Sequence, residues 1–308
     1  MHALFARLLI ILFTIASAAW LAHAGEQQNI SVNTNEEAVG MNCESHFNVS
    51  TDNLPIFRAE EERTIPQASI SKLRVYGLHN GGVLVRGWDK TDIFIKACKA
   101  AAGKDEPQAR SMLDDLKLEI QGGDVTVRGA EGRSRWVHLL VNVPKQIAAE
   151  FETHNGPLSL RNVSAGSVQA RTVNGPVAVK DCTGKITVDV RNGPVSLVRS
   201  SGDIHLTAQN GPMEVELTDT SWKGQGLEAS TRNGPLELKI PASYNSGVEV
   251  RAEGHSPFSC GLDACKDAVK DWDENSRLVR FGKAGAPTIV RLSTVNGPVT
   301  IRRALASF

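Results

Sequence analysis

The sequence predicts an all-β fold, a single parallel β-solenoid (β-helix) with roughly 18 residues per rung. The first observation is a tripeptide, Asn-Gly-Pro, that accounts for six of the thirteen prolines; its copies begin at Asn155, Asn174, Asn192, Asn210, Asn233 and Asn296. The second is spacing: the first four copies lie 19, 18 and 18 residues apart, so each unit is one supersecondary module. The third is the alternation of apolar and polar residues on both sides of each copy, which is typical of strands.

The tripeptide itself indicates a corner rather than a hairpin. Asn-Gly between apolar runs is a strong hairpin signal, but a residue that precedes proline favours extended backbone, which suits a two-residue hairpin loop poorly. If successive units stack, like residues lie above one another, and the six asparagines form a turn ladder. A second corner is predicted halfway through the unit, at Thr183-Gly184 and Ser201-Gly202.

The chain begins with a predicted signal peptide, residues 1–24. An apolar run from Leu8 to Leu21 precedes Ala22-His23-Ala24, a small-x-small cleavage site that would leave Gly25 as the new terminus. An uncleaved membrane anchor is the alternative. Cleavage predicts a periplasmic or secreted protein of the cell envelope. Residues 25–63 are polar and are expected to form a poorly ordered leader, and residues 64–308 are expected to form the solenoid.

One short helix interrupts the early rungs. Leu73 to Val83 has the order strand, Asn-Gly corner, strand, and the helix is predicted over 106–116 behind Asp105 and Pro107. Its apolar residues have helical spacing and are expected to pack on the solenoid or its cap; they are Ala109, Met112, Leu113 and Leu116.

Five cysteines in an exported chain predict disulfides. Cys260 and Cys265 lie in an insertion, residues 254–283, that lacks the rung pattern, and they are the first candidate pair. Cys43 and Cys98 are the second, and Cys182 is expected to be a buried filler. A metal site is disfavoured because the cysteines lack a second close pair with zinc spacing, and no cofactor is predicted.

Charge excludes one broad class of partner. The chain has 34 basic and 34 acidic residues, so the electrostatic attraction that dominates non-specific nucleic-acid binding is missing. No segment after the signal peptide is apolar enough to span a bilayer. The predicted partner is therefore an unknown protein or an envelope polymer, with end-to-end association of chains as a further expectation if the solenoid ends stay uncapped.

A catalytic site is not predicted. Arg171, Asp189, Arg191 and His205 are candidates for an outward face of neighbouring rungs, and ordinary charge pairs across rungs explain them. Glycoside hydrolysis needs two facing carboxylates, and no such pair stands out. Trp88, Trp136, Trp222 and Trp272 are scattered among different units, and packing explains them better than a sugar platform does.

Repeated strand, Asn-Gly, strand units behind a signal peptide, with Val141-Asn-Val-Pro144 before a rung and Gly282 to Pro287 leading into the last rung, resemble the bacterial putative adhesin domain family. The resemblance covers roughly Leu73 to Ile301 and implies an exported β-solenoid of largely unknown function. The leading expectation is a non-catalytic envelope protein that presents an extended face to a protein or surface polymer. A periplasmic signalling or stress-response module that binds a partner through the insertion is the alternative, and a carbohydrate-active β-helix enzyme is the third.

Overall fold

The computed structural model describes residues 30–34, 40–51, 53–129, 132, 134–253, 256–283 and 287–304. The predicted signal peptide and its cleavage site lie outside these residues. In the part of the chain that the structure describes, no helix is long and apolar enough to cross a membrane.

Strands account for most of the described chain. In chain order the elements are β1 (Ile30–Thr34), α1 (Cys43–His46), β2 (Phe47–Thr51), β3 (Ile56–Pro66), a 3₁₀ turn (Gln67–Ser69), β4 (Leu73–Tyr76), β5 (Val83–Trp88), β6 (Asp92–Ala102), α2 (Glu106–Asp114), β7 (Lys117–Gln121), β8 (Asp124–Arg128), β9 (Arg135–Pro144), β10 (Ala148–Asn155), β11 (Leu158–Arg161), β12 (Ser164–Asn174), β13 (Val177–Lys180), β14 (Thr183–Asn192), β15 (Val195–Val198), β16 (Ser201–Asn210), β17 (Met213–Glu216), β18 (Gly226–Asn233), β19 (Leu236–Ile240), β20 (Gly247–Glu253), β21 (Phe258–Cys260), a second 3₁₀ turn (Asp263–Cys265), β22 (Val269–Trp272), β23 (Ser276–Phe281), β24 (Thr288–Asn296) and β25 (Val299–Arg303).

The strands form two large sheets, and β1 and β2 form a separate antiparallel pair. Sheet 1 has twelve strands in the order β22-β23-β20-β24-β18-β16-β14-β12-β10-β4-β8-β7, and sheet 2 has eleven in the order β21-β25-β19-β17-β15-β13-β11-β5-β9-β6-β3. The prediction of an all-β fold is confirmed. The finer prediction of one parallel coil does not describe the whole molecule, because both sheets are mixed. Their centres are parallel, whereas antiparallel pairs occur where β7 meets β8, β6 meets β9 and β3, and β23 meets β20 and β22.

Within the parallel centre, each rung is one strand of sheet 1, an Asn-Gly-Pro corner and one strand of sheet 2. The strand registers place each corner asparagine beside the next, as in Asn174 beside Asn192 and Asn192 beside Asn210. The inward residue of sheet 2 is apolar in every rung: Val83, Leu158, Val177, Val195, Met213, Leu236 and Val299 lie in one row. These residues are fully or almost fully buried, so the interior is one continuous apolar stack between the sheets.

Backbone geometry explains why the corner is Asn-Gly-Pro. The N–H of every corner glycine but the last donates to the asparagine carbonyl of the next rung, as in Gly175 N to Asn192 O at 2.9 Å, and the N–H of the residue after each of these prolines donates to the next proline carbonyl, as in Val177 N to Pro194 O. The last, Gly297, donates to the Ser256 hydroxyl instead. Proline has no N–H to donate, and none is needed at this position because only the proline carbonyl takes part in the hydrogen bonds between rungs. At Gly193, φ is +149° and an added Cβ would lie 2.1 Å from the Gly175 carbonyl oxygen. Only glycine fits this stack of corners.

The C-terminal end departs from chain order. The last strand pair, β24 and β25, lies between the β18–β19 rung and the pair β20 and β21, although it is the last in the sequence. The insertion was expected to lack the rung pattern, yet β21 adds a strand to sheet 2, and β22 and β23 form a hairpin on the edge of sheet 1. The final Asn-Gly-Pro rung is therefore covered by the preceding segment.

Residues 25–63 were expected to form a poorly ordered leader, but their described part includes strands that pack on the rest of the molecule. β3 pairs with β6 over eleven residues, and Phe47 and Val49 of β2 are buried. The polar sequence of β3 did not predict a strand. Its charged side chains suit the position of β3 at the edge of sheet 2, where they discourage pairing with another chain. Helix α2 lies close to its predicted position; Asp105 caps it by accepting a hydrogen bond from the Gln108 N–H at 2.9 Å. Ala109 and Leu113 are buried on it.

Candidate functional site

The asparagines of the turn ladder hydrogen-bond to one another along one corner of the molecule. Each Nδ2 donates to the Oδ1 of the preceding corner at 2.8 to 2.9 Å, and Asn80, which lacks a following proline, extends the row at 3.3 Å from Asn155; the donors that follow are Asn174, Asn192, Asn210, Asn233 and Asn296. Asn80 in turn donates to the Gly132 carbonyl. The row satisfies both polar atoms of each interior amide, so its role in this geometry is structural.

The outer surface of sheet 1 carries two parallel rows of polar side chains, which we call the polar face. The strand registers place one residue of each row on every rung from β10 to β20. The first row is Glu152, Arg171, Asp189, Thr207, Ser230, Ser293 and Arg251, and the second is Glu150, Gln169, Thr187, His205, Glu228, Arg291 and Glu249. Neighbouring residues in a row are about 4.8 Å apart at the backbone, so each row offers one polar group per rung at regular intervals.

A groove of about 330 Å³ crosses the C-terminal half of the polar face. Its centre is formed by the small hydroxyl residues Thr207, Ser230 and Ser293 on three successive strands, and larger charged residues stand around them: His205, Glu228, Glu249, Arg251 and Arg291. The groove exists because short side chains occupy three successive places in a row that begins with the longer Glu152 and Arg171 and ends with Arg251. It holds two carboxylates and two guanidinium groups, so its fixed charge is close to balanced.

The charged groups of the groove contact one another. His205 lies with Nε2 3.0 Å from the Asp203 carboxylate and Nδ1 3.3 Å from that of Glu228, and the Arg291 guanidinium is 3.9 Å from Glu228. Arg280 pairs with Glu249 at 2.6 Å. Such exposed pairs add little stability individually, but they hold the walls of the groove in place around the hydroxyl residues.

The four candidates for an outward face lie on sheet 1, but they do not converge on one point. Arg171 and Asp189 are neighbours in the first row, with Nε 3.6 Å from Oδ2. His205 belongs to the second row, and Arg191 is exposed beside the corner asparagine of its strand. Asp189 accepts a hydrogen bond from Thr207 at 2.6 Å. Of these four, His205 alone lines the groove.

The groove contains two carboxylates, and only the strand order reveals that they lie near each other. Glu228 and Glu249 lie in the same row with Arg291 between them, which separates their backbones by two strand spacings, about 10 Å. Glycoside hydrolysis needs two carboxyl groups that flank one bond across about 5 to 9.5 Å. An arginine placed between the two groups fits a charge pair across rungs better than it fits that arrangement.

The structure places both candidate cysteine pairs within bonding distance. The Sγ atoms of Cys43 and Cys98 are 1.98 Å apart, and those of Cys260 and Cys265 are 1.93 Å apart. Cys182 is a free, buried thiol, and burial raises its pKa to about 11, so it stays protonated and unreactive. Among the described residues, no group of three or more His, Cys, Asp or Glu side chains could hold a metal ion.

Residues 40–51, which we call the N-terminal flap, cover part of the outer surface of sheet 2. The Cys43–Cys98 disulfide joins the flap to β6, and Phe47 stacks on His138 of β9 with ring centroids 5.8 Å apart. His138 is almost fully buried, and burial, with a smaller effect of His46, lowers its pKa to about 3. The imidazole is therefore neutral at physiological pH.

Sequence reasoning missed most of the groove. Glu228 and Ser230 lie on β18, and Arg251, Arg291 and Ser293 come from β20 and β24, whose spatial order differs from their chain order. A usable signal was the Asn-Gly-Pro copy at Asn296, since stacking it on Asn233 brings Arg291 and Ser293 beside Glu228 and Ser230.

No protein-family model and no curated protein matches this chain. Solved structures do match it, and several of them are described as putative adhesins. One is described as a putative cell adhesion protein from Clostridium sporogenes, with 11% identity and a TM-score of 0.32, covering 80% of this chain and 100% of that one. Another is a putative adhesin from Parabacteroides merdae, with 12% identity and a TM-score of 0.32, covering 80% and 96%.

A third similar structure bears a different description, a putative lipid binding protein from Parabacteroides distasonis. Its identity is 11% and its TM-score 0.25, over 80% of this chain and 97% of that one. Identities and TM-scores this low assign neither a family nor a function to this chain.

Proposed function

We propose that this protein is a non-catalytic, exported envelope protein whose central rungs act as a rigid solenoid and bind an extended surface polymer along the polar face. The observation that carries the proposal is the groove, with hydroxyl side chains on three successive strands between walls of balanced charge. A surface built from stacked rungs suits a long ligand because it repeats the same contact along its axis.

The chemistry of the groove selects among polymers. Thr207, Ser230 and Ser293 present small hydroxyl groups, while Glu228 and Arg291 carry opposite charges beside them. A polymer with a large net charge of either sign would meet a like charge on one wall. An uncharged or zwitterionic polymer with hydroxyl and amide groups can instead exchange its water for hydrogen bonds to both walls.

The test is co-sedimentation of the protein that begins at Gly25 with isolated cell walls, outer-membrane vesicles and whole cells, at low and moderate salt. We expect saturable binding to one fraction that changes little with salt, because the fixed charges of the groove are balanced. Ser230→Trp and Ser293→Trp fill the groove and are expected to abolish binding.

Ser196→Trp is the matched control, because Ser196 points outward from sheet 2 on the opposite side of the molecule. If Ser196→Trp weakens binding as much as Ser230→Trp does, the groove is not the site. If no fraction binds the protein, the polymer proposal is wrong.

A second candidate function is a periplasmic signalling or stress-response module that binds a protein through the insertion. It is favoured by β22, the edge strand of sheet 1, on which Val269 and Trp272 are 63% and 54% exposed. Large apolar side chains on an unpaired edge favour a protein partner. The double variant Val269→Thr with Trp272→Ser should abolish crosslinking to such a partner and leave polymer binding intact.

A further inference from the structure

One unit of the repeat is longer than its neighbours, and the additional residues lie at the corner opposite the asparagine row. Three residues separate Val198 from Gly202, whereas seven separate Glu216 from Gly224. Gly224 still stacks closely on Gly202: a Cβ added to Gly224 would lie only 2.5 Å from the Gly202 Cα. The rung therefore keeps its corner, and the added residues form a loop to one side of it.

Trp222 anchors that loop. Its indole Nε1–H donates to the Gly202 carbonyl at 3.1 Å, and its backbone N–H donates to the Ser246 hydroxyl at 2.9 Å. Its side chain is buried. These contacts fix the loop at a distance from the preceding corner, and a cleft of about 260 Å³ remains between the two.

The cleft has an apolar interior and a hydroxyl-rich rim. Leu217, Trp222 and Tyr244 form its buried part, and Ser201, Thr218 and Ser221 are half-buried at its mouth. Burial raises the pKa of Tyr244 to about 12, and among the described residues its buried hydroxyl has no hydrogen-bond partner. A neutral phenol, an indole edge and several hydroxyl groups suit a ligand that is part apolar and part hydroxylated.

Charged side chains at the cleft are already paired. Arg199 contacts the Asp181 carboxylate through two hydrogen bonds of 2.7 Å each, and Lys223 lies 2.8 Å from Asp219. A charged ligand would have to displace one of these pairs or leave its own charge unpaired in a partly buried site. The cleft therefore favours an uncharged ligand.

We propose that this cleft binds a single neutral sugar unit, of the size of a hexose or an N-acetylhexosamine, as a site separate from the groove on the polar face. Its volume is slightly below the range of about 300 to 1,000 Å³ that suits drug-sized ligands, which limits the ligand to one ring. The apolar interior accepts the C–H surface of the ring, and the hydroxyl groups of Ser201, Thr218 and Ser221 bind its hydroxyls.

The test is saturation-transfer NMR and calorimetric titration of the full protein from Gly25 with glucose, galactose and N-acetylglucosamine, beside glucuronate and glucosamine. We expect at least one neutral sugar to bind saturably with a Kd in the roughly millimolar range that a few hydrogen bonds support. The charged sugars should bind at least about tenfold more weakly because their charge would remain unpaired.

Two cleft variants and two controls locate the binding. Ser221→Phe fills the mouth and should abolish binding, and Thr218→Val removes one hydroxyl and should weaken it by about tenfold. Ser243→Val, at an exposed position outside the cleft, and Ser230→Trp, which fills the groove, should leave it unchanged. Circular dichroism and the Tm of each variant verify that it folds.

Three results would overturn the proposal: no saturable binding of a neutral sugar up to about 100 mM, equal binding of charged and neutral sugars, or unchanged binding in folded Ser221→Phe. Because Ser230→Trp tests the groove alone, polymer binding can fail while the cleft still binds sugar, and the reverse.

Discussion

The central rungs and the N-terminal end of this molecule are stabilised in different ways. In the rungs from β12 to β17, the corner residues lie on their own kind in the next rung, asparagine on asparagine and glycine on glycine, and inward apolar residues lie on one another, as Val188 does on Leu206. At the N-terminal end, β3, β6 and β9 are antiparallel, a disulfide crosses from the flap to β6, and a neutral histidine is buried beneath the flap. A repeat can stabilise itself by stacking, but its end has no next rung and depends on individual contacts.

The largest expected effect breaks the stacking itself. Gly193→Ala should destabilise the fold by more than about 4 kcal/mol, because the new Cβ clashes with a backbone carbonyl and φ is positive. The measurement is denaturant unfolding of purified protein, together with the soluble yield. Gly132→Ala is the control, since an added Cβ there meets nothing within 4 Å. Equal stability of the two variants would show that the corners do not pack as described.

The two ends of the molecule carry disulfides that close loops of different length. Cys43–Cys98 spans 55 residues and Cys260–Cys265 spans five, so in the chain-entropy account their removal should cost about 4 and about 2 kcal/mol. Denaturant unfolding of Cys43→Ala with Cys98→Ala, beside Cys260→Ala with Cys265→Ala, measures both costs. A larger loss from the short loop would contradict the dependence of the N-terminal end on its crosslink.

His138 makes the N-terminal end sensitive to acid. Its folded pKa of about 3 lies below the ordinary value of 6.5, so the unfolded chain takes up a proton first and stability falls as the pH drops from 6.5 towards 3. At pH 4 the resulting loss in the free energy of unfolding amounts to about 3 kcal/mol. His138→Leu should flatten the stability profile between pH 6.5 and 4, measured by denaturant unfolding at each pH. Parallel profiles for the variant and the parent would exclude this role.

The smallest expected effect separates the middle of the asparagine row from its end. Asn192→Ala removes two side-chain hydrogen bonds, to Asn174 and from Asn210, whereas Asn296→Ala removes one, to Asn233. The costs should be about 2 and about 1 kcal/mol, read from the shift of the denaturation midpoint. If the two costs are equal, the row does not act through neighbour-to-neighbour bonds.

Much of the central region could be predicted from the sequence, because its information is local and repeated. The Asn-Gly-Pro copies mark the corners, alternation marks the strands, and Asp105 with Pro107 marks the start of α2. The leader and the insertion could not be predicted in the same way. The charged residues of β3, such as Glu60 and Glu62, suit an edge strand and an unstructured segment equally well.

The candidate sites were less predictable than the fold. Of the four residues proposed from the sequence for an outward face, His205 alone lines the groove, and Arg251 and Ser293 reach the groove from strands that lie far apart in the chain. Of the cleft, the sequence singled out Trp222 only as one of four tryptophans scattered among different units. Both sites are formed by departures from the repeat, and the consequence of a departure depends on which strand becomes its neighbour.

The sequence by itself determined the spacing of the rungs, the faces of their strands and the residues of their corners, because a period of two and a recurring tripeptide specify local geometry wherever they occur. Only the tertiary structure places the last strand pair between the β18–β19 rung and the pair β20 and β21, adds antiparallel strands at both ends and lays Phe47 on His138. These arrangements arise from burying exposed edges and apolar surface between segments that are distant in the chain, and no local pattern encodes which distant segments meet.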